Sequence, residues 1–375
     1  MGGFDPARRR WLQQSLVASG AVLAAGLPRL APGGSLGGDR PLTRIAFGSC
    51  CKQTSPQPIW KAINALEPEL FLFLGDNVYG DTRDMAVLQA QYDLLGANPG
   101  FQTLRDRTRV LATWDDHDFG ENDAGADYPM KEESRRIFCD FWGEAPQSPR
   151  RMRDGIYESY VIGPEGRRVQ LIFPDLRFNR TPLRERDLAG TDYEAWAKAL
   201  EAADRPVPGP YERNPGPGPT MLGENQWRWL EEQLAVPADV RMFCSSLQVV
   251  ADFPGWEAWA NYTRDQQRLF EAIRRNSADG LFCISGDTHY GELSMLDVNV
   301  PYPVWDLTSS GLTEVWPVVP PNGLRIGPIL QQANFGLIQI DWAHAAPRVS
   351  LQLRDVRGAI RLEQQLDLHT LKSAV

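Results

Sequence analysis

The sequence predicts an α/β protein in which strands alternate with helices and a β-sheet is covered on both sides. Three observations support this prediction. Apolar runs of strand length recur along the chain, most of them end in small or acidic residues, and helical spacing of apolar residues separates them. Runs that are apolar on both faces are typical of strands buried on both sides. In such sheets ligands bind at the edge formed by the carboxyl ends of the strands.

Six apolar runs are expected to be strands that carry polar side chains to one edge of the sheet. They are residues 44–47, 70–74, 109–114, 169–173, 241–244 and 281–284. The residues that follow them are, in order, Gly48-Ser49-Cys50, Gly75-Asp76-Asn77-Val78-Tyr79, Asp115-Asp116-His117-Asp118, Pro174-Asp175, Ser245-Ser246 and Ser285-Gly286-Asp287-Thr288-His289. One Gly-Asp after a strand is usually a turn, but this repetition predicts a cluster of metal-binding side chains.

The segments between these runs predict the helices and loops. Helices are expected over residues 58–66, 85–95, 134–142, 226–234 and 264–275, the last one with Thr263 as its N-cap. A hairpin is expected over residues 155–173, and residues 204–223, rich in Pro and Gly, are expected to form a surface loop at a pocket rim. The tail over residues 334–366 alternates like strands and is expected to form a second sheet.

The N-terminus predicts an export signal. Arg8-Arg9-Arg10-Trp11-Leu12 precede the uncharged run 15–27, which is too short to span a bilayer comfortably. This pattern resembles a twin-arginine signal, although an amphipathic N-terminal helix is the alternative. We therefore expect a signal peptide over residues 1–25, a linker over 26–41 and a single domain over 42–375. The twin-arginine machinery would then export the protein to the periplasm or the medium, without a transmembrane anchor.

Composition excludes several classes of protein. The chain has 375 residues, is 42% hydrophobic and carries a formal net charge of −9. A globular protein is therefore expected, and a nucleic-acid-coating role is disfavoured because such proteins need a basic surface. The five cysteines are too sparse for a disulfide scaffold.

Two of the acidic strand ends have the chemistry of a metal site. Asp76 can bridge two cations because a carboxylate has two oxygens, and Tyr79 either turns toward the same site or packs under the loop. Asp115 and Asp116 precede His117, and a histidine beside metal-bound carboxylates is suited to protonate a leaving alkoxide. A solvated loop is the alternative for this second segment.

Two further strand ends complete the candidate donor set. Asp287 and His289 can share a cation from one side of a turn, or form a structural pair. The thiolate of Cys50 suits iron or zinc, and a nucleophilic role is the alternative. A mixed cluster of thiolate, carboxylates and imidazole suits two or three cations, which activate water and screen the charge of a phosphoryl group.

At these residues the sequence resembles the alkaline phosphatase D (PhoD-like) family of metallophosphatases. The matching stretches are residues 47–50, 73–79, 114–123, 245–248 and 285–292. The resemblance implies a metallophosphoesterase-like, four-layer αββα sandwich of two mixed β-sheets flanked by helices. It also implies hydrolysis of small phosphate esters and a site with Fe3+ and Ca2+. Zinc or another divalent metal is the alternative.

The resemblance implies a role for each candidate residue. Cys50 and Tyr79 would ligate the iron, and Asp76 would bridge. The cation shells would be completed by Asp115 or Asp116, Asn122, Asp287 and His289. His117 would be the general acid. Phosphate oxygens could be contacted by Arg150, Arg151 or Arg177. The stretch Asp175-Leu176-Arg177 departs from the family's usual Leu-Asp-Thr-Arg.

These observations favour an exported phosphohydrolase in which a metal-activated hydroxide attacks phosphorus. A phosphodiesterase or phospholipase D-like enzyme on the same scaffold is the nearest alternative. A non-enzymatic exported binding protein is another, for instance a carbohydrate binder. It would use four aromatic residues that could instead pack a loop, Phe253, Trp256, Trp259 and Tyr262.

Overall fold

Two β-sheets pack face to face in the computed structural model, which describes residues 40–253, 255–317 and 319–373. The predicted signal peptide, and the predicted linker up to residue 39, lie outside the described residues. No helix among the described residues is long and apolar enough to cross a membrane.

The strands, in chain order, are β1 Arg44–Gly48, β2 Leu70–Leu74, β3 Arg109–Thr113, β4 Glu158–Ile162, β5 Val169–Phe173, β6 Arg184–Glu185, β7 Tyr211–Glu212, β8 Val240–Cys244, β9 Leu281–Ser285, β10 Gly291–Leu296, β11 Val304–Ser309, β12 Arg325–Leu330, β13 Asn334–Asp341, β14 Arg348–Asp355 and β15 Ile360–Asp367. The first sheet has the order β15-β14-β13-β1-β2-β3, and the second has the order β12-β10-β11-β9-β8-β5-β4. Strands β6 and β7 pair separately. Both large sheets are mixed, because β1–β3 and β5-β8-β9-β11 are parallel while their flanking strands are antiparallel.

The helices are α1 Ile59–Ala65, α2 Met85–Ala97, α3 Pro99–Arg107, α4 Asp116–Phe119, α5 Lys131–Phe141, α6 Tyr193–Ala202, α7 Gly223–Leu234 and α8 Thr263–Arg275. Short 3-10 helices cover Pro149–Arg151, Trp259–Asn261 and Leu368–Thr370. The five predicted helices are present, but α3, α4 and α6 were not predicted. Thr263 is the first residue of α8 rather than its cap, which is Tyr262.

The alternation of side chains along β2 shows how the layers form. Phe71 and Phe73 pack against Trp60 of α1, with ring centroids 5.7 and 5.9 Å apart, and belong to the hydrophobic cluster beneath α1, α2, α3 and α5. Leu72, from the opposite face, belongs to the cluster that includes strands of the second sheet and helices α7 and α8. The sequence of layers is therefore helix, sheet, sheet, helix, which confirms the predicted αββα sandwich.

The C-terminal tail corrects one expectation. Residues 334–366 were expected to form a second sheet, but β13, β14 and β15 extend the first sheet, and Ile338 pairs with Ile45 of β1. The six apolar runs likewise divide between the two sheets rather than sharing one. Period-2 alternation indicates that a segment is a strand but carries no information about its partner, so this pairing could not be deduced from the pattern.

Candidate metal centre

The carboxyl ends of β1, β2, β3 and β9 bring the predicted ligands together, although these strands belong to different sheets. Among the described residues, potential donor atoms lie within 4.8 Å of one another in four overlapping groups; two of these include His117 or the pair Asp123 and Glu257, and the remaining two consist only of predicted ligands. One group is formed by Cys50, Asp76 and His289, and the other by Asp76, Asp115, Asp116 and Asp287. Asp76 belongs to both groups, which is the placement that a bridging carboxylate requires.

The first group joins a thiol, an imidazole and a carboxylate, and the phenol of Tyr79 lies beside it. The sulfur of Cys50 lies 3.3 Å from Oδ2 of Asp76, and the hydroxyl of Tyr79 lies 3.1 Å from Nε2 of His289. Burial raises the pKa of the Cys50 thiol well above its usual range, and the charges of Asp76 and Asp287 raise it further. A cation beside the sulfur would reverse this effect, because metal coordination deprotonates a thiol.

The second group consists of carboxylates with little access to water. Its four members are at most 7% exposed. Among the described residues, no hydrogen-bond donor reaches Oδ1 of Asp76 or Oδ2 of Asp115. Burial raises the pKa of Asp76 well above its usual range and that of Asp115 to about 6, the latter despite an ion pair with Arg177. Because buried carboxylates need compensating charge, this group fits one or more cations.

The backbone at these strand ends adopts conformations that side chains rarely occupy. Positive φ angles occur at Cys50 (58°), Asp76 (48°), Asp123 (56°), Asp287 (71°) and His289 (60°). Each such conformation costs of the order of 1–3 kcal/mol, and strain of this kind clusters at functional sites. Gly75 precedes Asp76 because a Cβ there would lie 2.5 Å from Cβ of Asp115. These turns direct the donors toward one another.

His117 lies beside the cluster and is oriented by a residue that sequence reasoning missed. Its Nδ1 is 2.7 Å from Oδ1 of Asp81, and its ring lies 4.2 Å from the ring of Tyr79. Burial lowers the pKa of His117, but the carboxylates of Asp116, Asp81 and Asp76 outweigh it and raise the pKa well above its usual range. The only sequence signal for Asp81 was its position two residues after Tyr79.

Arg177 reaches the cluster, but its donors already bind carboxylates. Its Nε donates to Asp115 over 2.6 Å, and its Nη1 and Nη2 donate to Glu257 over 2.8 Å. Burial raises the pKa of Glu257, but Arg177 and Arg180 outweigh it and lower the pKa to about 2. Arg177 therefore stabilises the cluster by binding the carboxylates of Asp115 and Glu257. Sequence reasoning missed Glu257 because no apolar strand precedes it.

The structure does not bring Arg150 and Arg151 to the cluster. The buried guanidinium of Arg150 donates to Glu144 and to the carbonyls of Ala112 and Ile156, over 2.6–2.7 Å. Arg151 donates to Asp140 and to the carbonyl of Glu144. Because the protein itself takes their donors, neither arginine is retained as a phosphate contact.

A cavity of about 950 Å³ opens onto the cluster. Its lining includes Tyr79, His117, His289 and the predicted ligand Asn122, and Asn122 also donates to Asp123 over 2.7 Å. Lys52 lines the cavity as well, with Nζ 5.9 Å from the centre of the Tyr79 ring. Sequence reasoning missed Lys52, although it lies two residues after Cys50.

The four aromatic residues considered for carbohydrate binding do not share one surface. Trp259 and Tyr262 are buried in the core. Phe253 packs on Arg213, with the guanidinium carbon 4.9 Å from the ring centre. Only Trp256 lines the cavity. The four residues therefore do not form a carbohydrate-binding platform.

The αββα fold and the buried donor cluster define a metal-dependent phosphohydrolase. The chain belongs to the PhoD-like phosphatase family, because the model of that family matches residues 45–322. It is accordingly a hydrolase of phosphate esters. No curated protein sequence matches the chain.

Solved structures share the fold at low sequence identity. A structure of PhoD is 12% identical over 92% of this chain and 73% of that chain, with a TM-score of 0.63. A purple acid phosphatase from yellow lupin seeds is 12% identical over 89% of this chain and 54% of that chain, with a TM-score of 0.54. GAP50, described as the anchor in the inner membrane complex of Plasmodium, is 11% identical over 88% and 89%, with a TM-score of 0.54. An anchor and phosphatases therefore share this fold, so the fold alone does not determine the finer function.

Proposed function

We propose that the chain is an exported phosphohydrolase whose cluster holds two kinds of cation, iron at the thiol end and calcium at the carboxylate end. The observation that supports this proposal is the division of donors between the two groups. Thiolate, phenolate and imidazole suit iron, and zinc would fit them as an alternative. Carboxylate oxygens suit a hard cation such as calcium.

The proposal gives each donor a role. Cys50, Tyr79 and His289 would hold the iron, and Asp76 would bridge. Asp287 and Asp116 would hold the second cation, with Asp115 fixed by Arg177 and Asn122 completing the shell from the cavity side. Bound cations would activate water and screen the charge on the phosphoryl group.

His117 is proposed as the general acid. Asp81 accepts the Nδ1 proton of the imidazole, which leaves Nε2 as the nitrogen that can protonate a leaving alkoxide. Cations bound to Asp76 and Asp116 would compensate the negative charges of these two carboxylates. Asp81 would then be the carboxylate that keeps the imidazole of His117 protonated. A proton on Nε2 raises the leaving ability of the alcohol oxygen, because the departing group is then neutral.

Lys52 is proposed as the side chain that contacts a phosphate oxygen. Its ammonium group lies in the cavity beside Tyr79, and its ion pair with Glu314 is long, at 3.9 Å. Breaking such a long, half-buried ion pair costs little free energy, so the ammonium group of Lys52 can exchange Glu314 for a phosphate oxygen.

A phosphodiesterase on the same scaffold is the second candidate. The cavity is favourable to it, because about 950 Å³ accommodates a group on each side of phosphorus. Comparing an aryl phosphate monoester with the matching bis-aryl diester separates the two activities. A higher kcat/KM on the diester would favour the phosphodiesterase.

Export through the twin-arginine route is proposed from residues 8–27, which lie outside the described residues. Replacing Arg8, Arg9 and Arg10 with Lys should retain the full-length chain in the cytoplasm. Continued export of that variant would contradict the proposed route. Lysine keeps the positive charge of the segment, so this variant tests the arginine side chains themselves and not the charge.

The central experiment is metal removal and reconstitution. The protein should lose phosphatase activity on treatment with a chelator and regain it with iron plus calcium. Cys50→Ala and Asp76→Ala should each abolish activity while leaving the circular dichroism spectrum unchanged. Near-full turnover in either variant would reject the assignment of the cluster as the catalytic site.

A further inference from the structure

Aromatic rings extend outward from the donor cluster along the cavity. The ring of Trp316 lies 6.2 Å from that of His289 and 4.9 Å from that of Trp256, at an interplanar angle of 61° in the second case. The ring of Tyr193 lies 5.6 Å from that of Trp256. We call Trp316, Trp256 and Tyr193 the aromatic wall; all three line the cavity.

The aromatic wall is not part of the hydrophobic core. Neither hydrophobic cluster of the described residues includes Trp316, Trp256 or Tyr193. Each of these side chains is half-buried, whereas Trp227 and Trp259 are fully buried in the core. Large aromatic side chains that line a cavity without supporting the core are typical of ligand-binding surfaces.

The aromatic wall is held in a fixed position relative to the cluster. The backbone NH of Trp316 donates to the carbonyl of His289 over 3.0 Å. The backbone of Trp256 follows Gly255, where the chain passes so close to Gly209 that a Cβ on Gly255 would lie 2.5 Å from the Gly209 nitrogen. The hydroxyl of Tyr193 donates to the carbonyl of Pro208 over 3.0 Å. A ligand held by the wall therefore has a defined distance from the reacting phosphorus.

The charge of the cavity limits what can lie against the wall. Among the described residues, five that line the cavity are acidic, namely Asp123, Glu185, Asp187, Asp192 and Glu314, and two are basic, Lys52 and Arg186. Arg186 already donates to the carbonyls of Gly209 and Tyr211. A second phosphate beside the wall would meet mostly like charge, which is unfavourable.

We infer that the aromatic wall binds the alcohol part of the substrate, and that the preferred substrates are phosphate esters of planar-ring alcohols that carry no second phosphate. This inference rests on the proposed phosphohydrolase function and names its substrate class. Water adds to phosphorus, the ester P–O bond breaks, and the alcohol leaves with one proton. The cavity beside the cluster therefore holds the leaving group. The two indoles meet at an angle, so one can stack on the face of the ring while the other contacts its edge.

The planar ring could belong to an aryl alcohol or to a nucleoside, and the experiment separates these sources. Wild-type protein is assayed with 2-naphthyl phosphate, a nucleoside 5′-monophosphate, glycerol phosphate, and a nucleoside 3′,5′-bisphosphate. For each ring ester, kcat/KM is divided by the kcat/KM of glycerol phosphate. Differences in the state of the metal site affect both values and therefore cancel in this ratio. The variants are Trp316→Ala and Trp256→Ala, with Trp229→Ala as the matched control because Trp229 is half-buried and packs against Tyr157 outside the cavity.

Both cavity variants should lower the ratio for at least one ring ester about tenfold, the effect expected when a stacking partner worth about 1.4 kcal/mol is removed. Trp229→Ala should leave the ratio unchanged. The bisphosphate should be hydrolysed more slowly than the monophosphate of the same nucleoside. An unchanged ratio in both cavity variants, or a preference for the bisphosphate, would overturn the inference.

A binding measurement keeps the inference distinct from the proposed function. Titration calorimetry with 2-naphthol and with a nucleoside measures the wall without any hydrolysis. Binding in wild-type protein that weakens about tenfold in Trp316→Ala supports the wall even if no ester is hydrolysed, an outcome that would reject only the phosphohydrolase proposal. Hydrolysis of ring esters without measurable binding of either alcohol, or binding that Trp316→Ala leaves unchanged, would reject the wall instead.

Discussion

Asp76→Asn is the substitution that most sharply separates a metal bridge from an ordinary buried carboxylate. Asparagine keeps the shape of the side chain but removes its charge and one oxygen ligand. In metal-free protein, burial and the neighbouring Asp115, Asp116 and Asp118 raise the pKa of Asp76. Removing this charge should therefore leave the metal-free fold as stable as wild type or more stable. In metal-loaded protein the same change removes a ligand from both cation groups.

The expected magnitude follows from linkage. A cation at about one hundred times its Kd stabilises the folded state by about 2.7 kcal/mol. An unfolding entropy of about 2.1 cal/mol/K per residue amounts to roughly 0.7 kcal/mol/K for a chain of the described length. Each bound cation should therefore raise the Tm of wild-type protein by about 4 °C. The shift in Asp76→Asn should be below about 1 °C.

The assay is differential scanning calorimetry after chelation, with and without added metal. Asp93→Asn is the control, because Asp93 is an exposed carboxylate on α2. It should keep the full metal-induced shift. If Asp76→Asn keeps a shift equal to that of wild type, then Asp76 does not bridge cations and the reasoning from its two neighbouring groups is wrong.

The remaining predictions concern separate parts of the site. Cys50→Ser should lower the iron content measured by elemental analysis while calcium is retained, because only the thiol end loses its soft donor; equal loss of both metals would contradict the division of donors. Asp81→Asn should lower kcat about 10- to 100-fold and shift the pH profile, because His117 loses its orienting carboxylate; an unchanged profile would exclude the general-acid role. Lys52→Met should raise KM for a phosphate ester more than it lowers kcat, and steady-state kinetics with unchanged KM would remove Lys52 from the phosphate contacts. Arg150→Met should destabilise the protein by about 1–3 kcal/mol in denaturant titrations, because half-buried Glu144 and the buried carbonyls of Ala112 and Ile156 lose their donor; a large loss of activity at unchanged stability would return Arg150 to the site.

The sequence was sufficient to predict which strand ends carry the potential metal ligands. Cys50, Asp76, Asp116 and Asp287 each follow an apolar run closely, and the direction of a buried strand places the residue after it at a sheet edge. That the ends of two sheets would meet was implied only by the resemblance. The pairing of β13 with β1 was not predictable, because about 300 residues separate Ile338 from Ile45.

The partners of long side chains could not be predicted from the sequence either. Arg150 and Arg177 were both candidates for the phosphate contact, yet Arg150 binds Ala112 and Ile156 whereas Arg177 binds Asp115 and Glu257. Which carboxylate or carbonyl an arginine reaches depends on residues distant in the chain. Asp81, Glu257 and Trp316 were not predicted as site residues, because none of them directly follows a strand.

The most direct test of the metal centre is anomalous X-ray diffraction from crystals of natively purified protein. Data collected on either side of the iron absorption edge should give an iron peak within bonding distance of Cys50, Tyr79 and His289. A separate density, absent from the iron difference map, should lie among Asp76, Asp116 and Asp287. No anomalous peak at Cys50, or one zinc ion as the sole metal, would contradict the division of the cluster between two kinds of cation.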